Sequence, residues 1–306
     1  MKIRIATRES RLALWQAEHV QTSLQNLGHS VQLVPMTTRG DQILDRTLSK
    51  VGGKGLFVKE LELALQEDRA DIAVHSLKDV PMQLGEEFAL ACVMEREDPR
   101  DALVSNRYDL LSDLPLGSVV GTSSLRRMVL LQFLRPDLKI EPLRGNLDTR
   151  LRKLDDEQYA AIVLAAAGLK RLGMAERIAQ TFEPEQMLPA AGQGALGIET
   201  LAQRTDLCDA LAPLAHMPTW LAVSAEREVS RSMGGSCSMP LAAFAVWQEN
   251  ALQLRAAWGE PEHKPHKADP LVRAQGSSVV TTHEAARQLG AQTAHQLVSA
   301  GARLLV

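Results

Sequence analysis

The sequence predicts an α/β protein with two α/β units in series and a third, smaller α+β domain. Short apolar runs alternate with segments of helical spacing from residue 2 onward, and the same alternation restarts near residue 100. From about residue 217 the pattern changes to a helix, several strands and a closing helix. The length of 306 residues exceeds what one hydrophobic core usually serves, so two or three domains are expected.

The first unit is defined by apolar spacing and by its turn residues. Apolar residues at helical spacing from Ser10 onward end at Gly28, a common helix terminator. A Gly-rich turn at 52–55 precedes a second helical pattern. The predicted elements, in order, are strand 2–6, helix 10–27, strand 31–36, a helix between residues 56 and 65, and strand 71–76.

The second unit and the closing domain follow the polar stretch EREDPRD, residues 95–101. The elements predicted for the second unit are a strand ending at 121, a helix from Ser123, strand 138–143, a helix from Asn146 and strand 160–164. Those predicted for the closing domain are helix 217–233, strands 241–248 and 251–258, a third strand, and helix 282–299.

Composition and charge exclude several classes of protein. Hydrophobic residues make up 45% and charged residues 23%, as in ordinary globular domains. The net charge of -3 and the pI of about 6.3 give no field that would hold a nucleic acid or an anionic membrane. The sequence shows neither a membrane-length apolar run nor the apolar segment of a secretory signal. We therefore expect a cytoplasmic protein without nucleic-acid or membrane partners.

The segment TSSLRR follows the strand that ends at 121 and opens a helix. Backbone N–H groups at a helix N-terminus attract anions. The hydroxyls of Thr122, Ser123 and Ser124 and the guanidiniums of Arg126 and Arg127 add further donors, so the segment predicts an anion receptor. Taken alone, the same residues also fit an ordinary N-cap followed by two solvated arginines.

Cations recur at the ends of the following strands. Arg144 and Arg150 flank the start of one helix, Lys170 and Arg171 are predicted near the end of another strand, and Arg8 follows the first strand. Ligands of open α/β sheets bind beyond the carboxyl ends of strands, so these side chains are expected to meet in a cleft between the two units. Because arginine forks suit carboxylates, the expected ligand carries several carboxylates.

Lys78 and Asp79, in the motif HSLKDVP, come at the end of the predicted buried strand 71–76. A carboxylate flanked by cations acts as a general base or stabilises a developing positive charge. The alternative is a turn-forming Asp paired with Lys78.

Three cysteines occur, an odd number spread too widely for a disulfide framework or for paired metal ligands. Cys92 and Cys208 lie in segments typical of small core residues. Cys237 lies in GGSCSMP, whose loop-forming neighbours predict an accessible thiol able to act as a nucleophile.

Several other patterns fail on inspection. AGQGALG, at 191–197, has the letters of a dinucleotide loop but precedes a strand-like segment where a helix is required. VGGKG, at 51–55, lacks the leading Gly and the Ser or Thr of a phosphate loop. HEAAR, at 283–287, lacks the second His of a zinc helix, and His263 and His266 have no nearby thiol or carboxylate set, so no metal is expected.

Taken together, these motifs resemble the porphobilinogen deaminase family. The matching blocks run in order from residue 3 to about residue 245, and the tail is compatible but less distinctive. The blocks are ATRESRLALWQ, TRGDQILD, KVGGKGLFVKELE, DIAVHSLKDVP, EREDPRDALVS, GTSSLRR, LRGNLDTRL, LAAAGLKRLG, LPAAGQGALGIE and GGSCSMP.

The resemblance implies three domains, the first two shaped like periplasmic binding proteins. Their expected bounds are 1–95 plus 194–214 for domain 1, 99–189 for domain 2 and 217–306 for domain 3. The chain is implied to return to domain 1 near residue 190. The family also suggests a monomer.

The resemblance implies a polymerising reaction. Four porphobilinogen molecules lose ammonia and are joined head to tail, and water then releases hydroxymethylbilane. A dipyrromethane cofactor, thioether-linked to Cys237, primes the chain and is retained, while Asp79 holds pyrrole N–H groups and moves protons. The residues implied to bind substrate and cofactor are Arg8, Ser10, Lys50, Lys54, Phe57, Lys78, Thr122, Ser123, Ser124, Arg126, Arg127, Arg144, Gly145, Arg150, Arg171 and Gln193.

Two rival functions remain to be tested. A non-catalytic receptor for a polycarboxylate would use the same cations but would carry no covalent adduct. A cysteine hydrolase would need a histidine base for Cys237, and no histidine lies in a matching motif.

Overall fold

Strands and helices alternate along the chain in a computed structural model that describes residues 1–38, 40, 58–235, 239–260 and 271–304. The β-strands are β1 (Lys2–Arg8), β2 (Ser30–Met36), β3 (Ile72–Ser76), β4 (Phe88–Val93), β5 (Asp101–Val104), β6 (Val119–Gly121), β7 (Lys139–Glu141), β8 (Ala161–Ala165), β9 (Gln180–Thr181), β10 (Leu196–Leu201), β11 (Leu241–Gln248), β12 (Ala251–Gly259) and β13 (Leu271–Ser278). The α-helices are α1 (Arg11–Asn26), α2 (Lys59–Gln66), α3 (Leu125–Leu134), α4 (Leu147–Asp155), α5 (Ala166–Arg171), α6 (Thr205–Leu211), α7 (Met217–Ser232) and α8 (His283–Ser299).

The first sheet has the strand order β2-β1-β3-β10-β4. Strands β1, β2 and β3 are parallel, whereas β10 is antiparallel to both β3 and β4. Ile3 and Ile5 pack with Val20 of α1 on one face, and Ala6 packs with Leu61 of α2 on the other. Because both faces are covered, residues that point to opposite faces are buried in the middle of β1 and along β3.

The second sheet has the order β7-β6-β8-β5-β9. Strand β6 is parallel to its neighbours β7 and β8, and β5 is antiparallel to β8 and β9. Val120 and Val163 face the cluster that includes Leu131 of α3, while Ile162 faces the cluster that includes Leu151 of α4. The sheet therefore has a helix on each face, as the alternating sequence pattern predicts.

The third sheet is an antiparallel meander of β11, β12 and β13. Leu252 and Leu254 belong to one core with Val229 of α7 and Leu289 of α8. The two helices approach closely, since a Cβ added at Gly290 would lie 2.5 Å from the carbonyl oxygen of Ala225. This part of the chain is the predicted smaller α+β portion.

The predicted fold class is confirmed, with two α/β sheets and a smaller α+β portion. The chain divides into two compact units, the first formed by Met1–Glu97 with Gly194–Trp220 and the second by Asp98–Gln193 with Leu221–Val306. The division into three domains at the expected bounds stays a prediction. Among the described helices, none is both long and apolar enough to span a lipid bilayer.

Candidate active site

Predicted site residues of the first unit lie where its parallel strands end. Arg8 is the last residue of β1, and Asp79 ends the single 3-10 turn Leu77–Asp79 that follows β3. Because β1 and β3 run parallel, both positions belong to the carboxyl edge of the sheet. The expectation that these motifs fall at strand ends is confirmed for both residues.

Two buried neighbours hold the turn that presents Asp79. Leu77 and Val80 are 0% and 1% exposed, whereas Asp79 between them is exposed. The Leu77 N–H donates to the carbonyl of Ala195 at 3.0 Å, which ties the turn to the segment before β10. Lys78 is half-buried beside it. An exposed carboxylate on an anchored turn is preorganised for a ligand.

Ser10 has a structural task in addition to its predicted contact. Its Oγ accepts the Ala13 N–H at 3.4 Å and so caps helix α1. The same helix is joined to β3 by Gln16, whose amide nitrogen donates to the Ser76 hydroxyl at 2.9 Å. Sequence reasoning missed Gln16, because a polar residue on a helical pattern gives no sign of a partner 60 residues away.

In the second unit, three parallel strands bring their carboxyl ends to one edge of the sheet. The TSS segment of residues 122–124 follows β6, and Arg144 comes three residues after β7. Since β6 and β7 are neighbours, these two segments lie side by side. The Ser123 hydroxyl joins them by donating to the Leu143 carbonyl at 2.8 Å.

The prediction that a strand ends near Lys170 and Arg171 is wrong. Strand β8 ends at Ala165, and both cations lie in the last turn of the intervening helix α5. The Ala-rich run AAAGL favours helix over extended strand, and cations in the last turn suit the helix dipole. Lys170 Nζ is 2.8 Å from Asp98 Oδ2.

The hydroxyls of the TSS segment serve the local backbone. Ser124 Oγ accepts the Arg127 N–H at 3.4 Å as the N-cap of α3. Thr122 Oγ1 accepts the Ser124 N–H at 3.2 Å, and Thr122 is buried. Ser123 remains exposed. The alternative interpretation of this segment as an ordinary N-cap is therefore correct for Ser124. It does not hold for the two arginines, which are not solvated.

Arg126 and Arg127 are buried and turned toward one carboxylate, Asp101. Arg126 donates to both Asp101 oxygens, at 2.6 and 3.1 Å, and Arg127 Nε donates to Oδ1 at 2.9 Å. The two Nη1 atoms donate to the carbonyls of Leu188 and Val163, at 2.8 and 2.9 Å. The alternative of two solvated arginines is therefore excluded.

Asp101 remains ionised in this setting. Burial by itself raises the pKa of its carboxyl, but the guanidiniums of Arg126 and Arg127 outweigh burial and hold that pKa below its usual range. The three groups together carry one positive charge in excess. A buried cluster with excess positive charge favours an anionic ligand.

Within the described residues, two buried guanidinium nitrogens of this unit lack a hydrogen-bond partner. Arg126 Nε and Arg144 Nε find no hydrogen-bond acceptor within the described part of the chain. Burial also lowers the pKa of Arg144. An orphaned buried N–H is costly, so both nitrogens are candidates to donate to a bound anion.

Gly145 and Arg150 shape the loop that carries Arg144. Gly145 has φ +109°, and a Cβ there would lie 2.6 Å from the Thr149 side chain. Arg150 Nε donates to the Gly145 carbonyl at 2.8 Å, and Asn146 caps α4 by accepting the Thr149 N–H at 2.9 Å. Glycine at 145 is therefore required by both backbone conformation and space.

Gln193 also points to Asp101. Its amide nitrogen donates to Asp101 Oδ1 at 3.0 Å and to the Pro99 carbonyl at 2.6 Å, and the residue is 1% exposed. Asp101 is the site residue that sequence reasoning missed. The available signal was a carboxylate directly before the apolar run ALV, because a charge at the start of a buried strand needs a partner.

Four predicted residues, Lys50, Lys54, Phe57 and Cys237, lie outside the described residues. Gly234 and Gly235, which precede Cys237, have φ of +117° and +68° and end helix α7. Cys92 is buried, and burial raises the pKa of its thiol to about 12, as expected for an inert core residue. Among the described side chains, no group of His, Cys, Asp or Glu could hold a metal ion.

Two solved structures are similar to this chain at low identity. The methionine-binding protein MetQ has a TM-score of 0.45 and 19% identity, over 68% of this chain and 85% of that one. A nutrient-binding protein from Burkholderia cenocepacia bound to methionine has a TM-score of 0.43 and 16% identity, over 69% of this chain and 90% of that one.

Similar sequences cover nearly the whole chain. Residues 3–209 match the family described as "Porphobilinogen deaminase, dipyromethane cofactor binding domain", and residues 220–299 match "Porphobilinogen deaminase, C-terminal domain". The porphobilinogen deaminase of Albidiferax ferrireducens is 69% identical over 99% of this chain and 96% of that one. The porphobilinogen deaminase of Paraburkholderia phymatum is 61% identical over 97% of this chain and 90% of that one. This chain therefore belongs to the porphobilinogen deaminase family.

Proposed function

We propose that this chain condenses four porphobilinogen molecules head to tail, with loss of ammonia, and releases hydroxymethylbilane by hydrolysis. The observation that carries the proposal is the pair of buried N–H groups, Arg126 Nε and Arg144 Nε, that lack acceptors among the described residues. They belong to segments that follow neighbouring parallel strands. Porphobilinogen carries an acetate and a propionate, which supply the missing acceptors.

The same donors fit the dipyrromethane cofactor of this family, because each of its rings also bears an acetate and a propionate. In the second unit, the guanidiniums of Arg126 and Arg144 would hold these carboxylates. When bound, the cofactor supplies a nucleophilic pyrrole α-carbon on which chain growth begins. Dipyrromethane is the cofactor of the domain that residues 3–209 match.

Asp79 supplies the proton-handling group. When ammonia leaves porphobilinogen, positive charge develops on the pyrrole nitrogen, and a nearby carboxylate stabilises that charge by accepting the N–H. Asp79 is exposed on a turn fixed by buried Leu77 and Val80, so little reorganisation is needed for it to act. The same carboxylate takes up and returns the proton of each condensation.

Cys237 is the proposed point of covalent attachment, through a thioether formed once. The other predicted contacts are proposed to bind the growing chain. They are Arg8, Lys50, Lys54, Phe57, Lys78, Arg150 and Arg171. We also propose that the protein is a cytoplasmic monomer without nucleic-acid or membrane partners.

Intact-mass measurement together with a porphobilinogen turnover assay tests the proposal. The purified protein should carry a two-pyrrole adduct, and proteolysis should place that adduct on the peptide containing Cys237. Cys237→Ser should lose both adduct and turnover, whereas Cys208→Ser, at the half-buried cysteine of α6, should keep both. If active protein carries an unmodified Cys237, the proposal of covalent attachment is wrong. If the protein binds porphobilinogen without turning it over, the rival function of a non-catalytic receptor is favoured.

A further inference from the structure

Asp101 lies at the edge of the second sheet where the predicted binding residues gather. It is the first residue of β5 and pairs with Ala165, the last residue of β8. Since β5 runs antiparallel to β8, its start lies at the edge where β6, β7 and β8 end. The carboxylate is therefore placed at the carboxyl edge of the parallel strands, although its own strand begins there.

The Asp101 carboxylate is a common acceptor for three side chains implied in binding. Its Oδ2 accepts from Arg126 Nη1 at 2.6 Å. Its Oδ1 accepts from Arg126 Nη2 at 3.1 Å, from Arg127 Nε at 2.9 Å and from Gln193 Nε2 at 3.0 Å. Asp101 itself is 0% exposed, so none of these bonds competes with bulk water.

The two hydrogen bonds from Arg126 to Asp101 fix the direction of the remaining Arg126 donor, the Nε–H. A guanidinium is planar, so two bonds from its Nη atoms to one carboxylate fix the plane and with it the direction of the Nε–H bond. Arg126 Nη1 is held further by the Leu188 carbonyl at 2.8 Å. The Nε is buried and has no acceptor within the described ranges of the chain.

We propose that Asp101 is a positioning residue, which orients Arg126 so that its Nε–H donates to a carboxylate of the bound pyrrole chain. The proposal rests on the proposed function, because it requires a ligand with carboxylates. Asp101 touches neither substrate nor cofactor in this role and acts through the arginine.

Charge counting and positioning predict opposite effects for Asp101→Asn. The change removes one negative charge next to two guanidiniums, so charge alone would tighten the binding of a polycarboxylate and lower KM. Positioning predicts that KM for porphobilinogen rises about tenfold, the loss expected for one misdirected charge-assisted hydrogen bond. Turnover at saturation should fall by about threefold or less, because Asp79 is untouched.

Asp98→Asn is a matched control within the same motif, DPRD. Asp98 is also largely buried, with its side chain 7% exposed, and it pairs with Arg100 and Lys170 at 2.9 and 2.8 Å. Burial by itself raises the pKa of Asp98, but hydrogen bonds from Arg100 and Lys170 hold that pKa below its usual range. Since the ion pairs of Asp98 are formed with Arg100 and Lys170, its neutralisation should lower thermal stability and leave KM unchanged.

The experiment measures KM, kcat, the unfolding temperature and the fraction of chains carrying the two-pyrrole adduct for wild type and both variants. A raised KM and reduced adduct in Asp101→Asn, with wild-type values in Asp98→Asn, support positioning. A lowered or unchanged KM in Asp101→Asn, or equal KM changes in the two variants, overturns it. Wild type without adduct or turnover would instead contradict the proposed function.

Asp101→Glu keeps the test decisive if Asp101→Asn does not fold. It preserves the charge of the cluster and displaces the carboxylate by one methylene. Positioning predicts a KM raised about tenfold in this variant too, because the guanidinium plane shifts with its acceptor. A wild-type KM and a full complement of adduct in Asp101→Glu overturn the proposal.

Discussion

Arg144→Met should make the cofactor-free protein more stable. In the enzyme that carries its cofactor, the same substitution should weaken the binding of porphobilinogen. Arg144 has a buried Nε without an acceptor among the described residues, and burial lowers the pKa of its guanidinium. An unsatisfied buried donor costs roughly 1–3 kcal/mol. Because Arg144 as a whole is only half-buried, the lower end applies. Methionine keeps the flexible apolar stem and removes the donor.

We expect the free energy of unfolding to rise by about 1 kcal/mol, which corresponds to about 2 °C in unfolding temperature for a chain of this size. In the loaded enzyme, KM for porphobilinogen should rise about tenfold, since one charge-assisted hydrogen bond is lost. Thermal unfolding is measured in the Cys237→Ser background, where no cofactor is attached, and KM is measured with Cys237 intact.

Arg152→Met provides the control, because Arg152 is an exposed arginine on helix α4. Its removal should change the free energy of unfolding by no more than about 0.5 kcal/mol and leave KM as in wild type. A lower unfolding temperature for Arg144→Met in the cofactor-free background, together with an unchanged KM, would refute the reasoning. Arg144 would then be an ordinary stabilising contact.

Three further predictions follow from the charges and packing described above. Asp79→Asn should fold and keep its adduct but lose turnover by about 10²-fold or more, and a wild-type rate would contradict its role as proton carrier. The pKa values of Asp98 and Asp101 are depressed in the folded state, so their stabilisation is present at neutral pH and is lost as pH falls through the usual carboxyl range and below. Urea unfolding between pH 7 and pH 3 should show this loss, and a smaller one in Asp98→Asn. Gly290→Ala should lower stability by about 1–3 kcal/mol in thermal unfolding, because the new Cβ meets the α7 backbone; Gln292→Ala, exposed on the same helix, should be nearly neutral.

The arginines proposed to bind the ligand were identified in the sequence by their positions at predicted strand ends, not by their residue type alone. Arg144 and the TSSLRR segment were found because each follows an apolar run, and parallel neighbours bring such ends together. The same reasoning failed for Lys170 and Arg171, since helix α5 begins immediately after β8. Periodicity does not resolve where a short strand ends and a short helix begins when both are apolar.

The hydrogen-bond partners of the side chains could not be predicted from the sequence, because they depend on contacts between distant positions. Asp101 meets Arg126 across 25 residues and Gln193 across 92. Glu226 is comparable, for its buried carboxylate accepts the N–H groups of Gly192 and Ala245 at 2.8 and 2.9 Å. No local pattern marks such pairs, although a charged residue beside a buried apolar run indicates that a partner exists.

The amino-acid sequence by itself determined the fold class, the family resemblance, the choice of Asp79 and the collection of cations, because these depend on local spacing and on residue type. Only the tertiary structure decided how the cations are used. In that structure Arg126 and Arg127 are buried against Asp101. The Nε–H groups of Arg126 and Arg144 have no acceptor among the described residues. The physical reason is that burial and pairing are set by the packing of distant segments, and they determine whether a guanidinium binds a ligand or the protein itself.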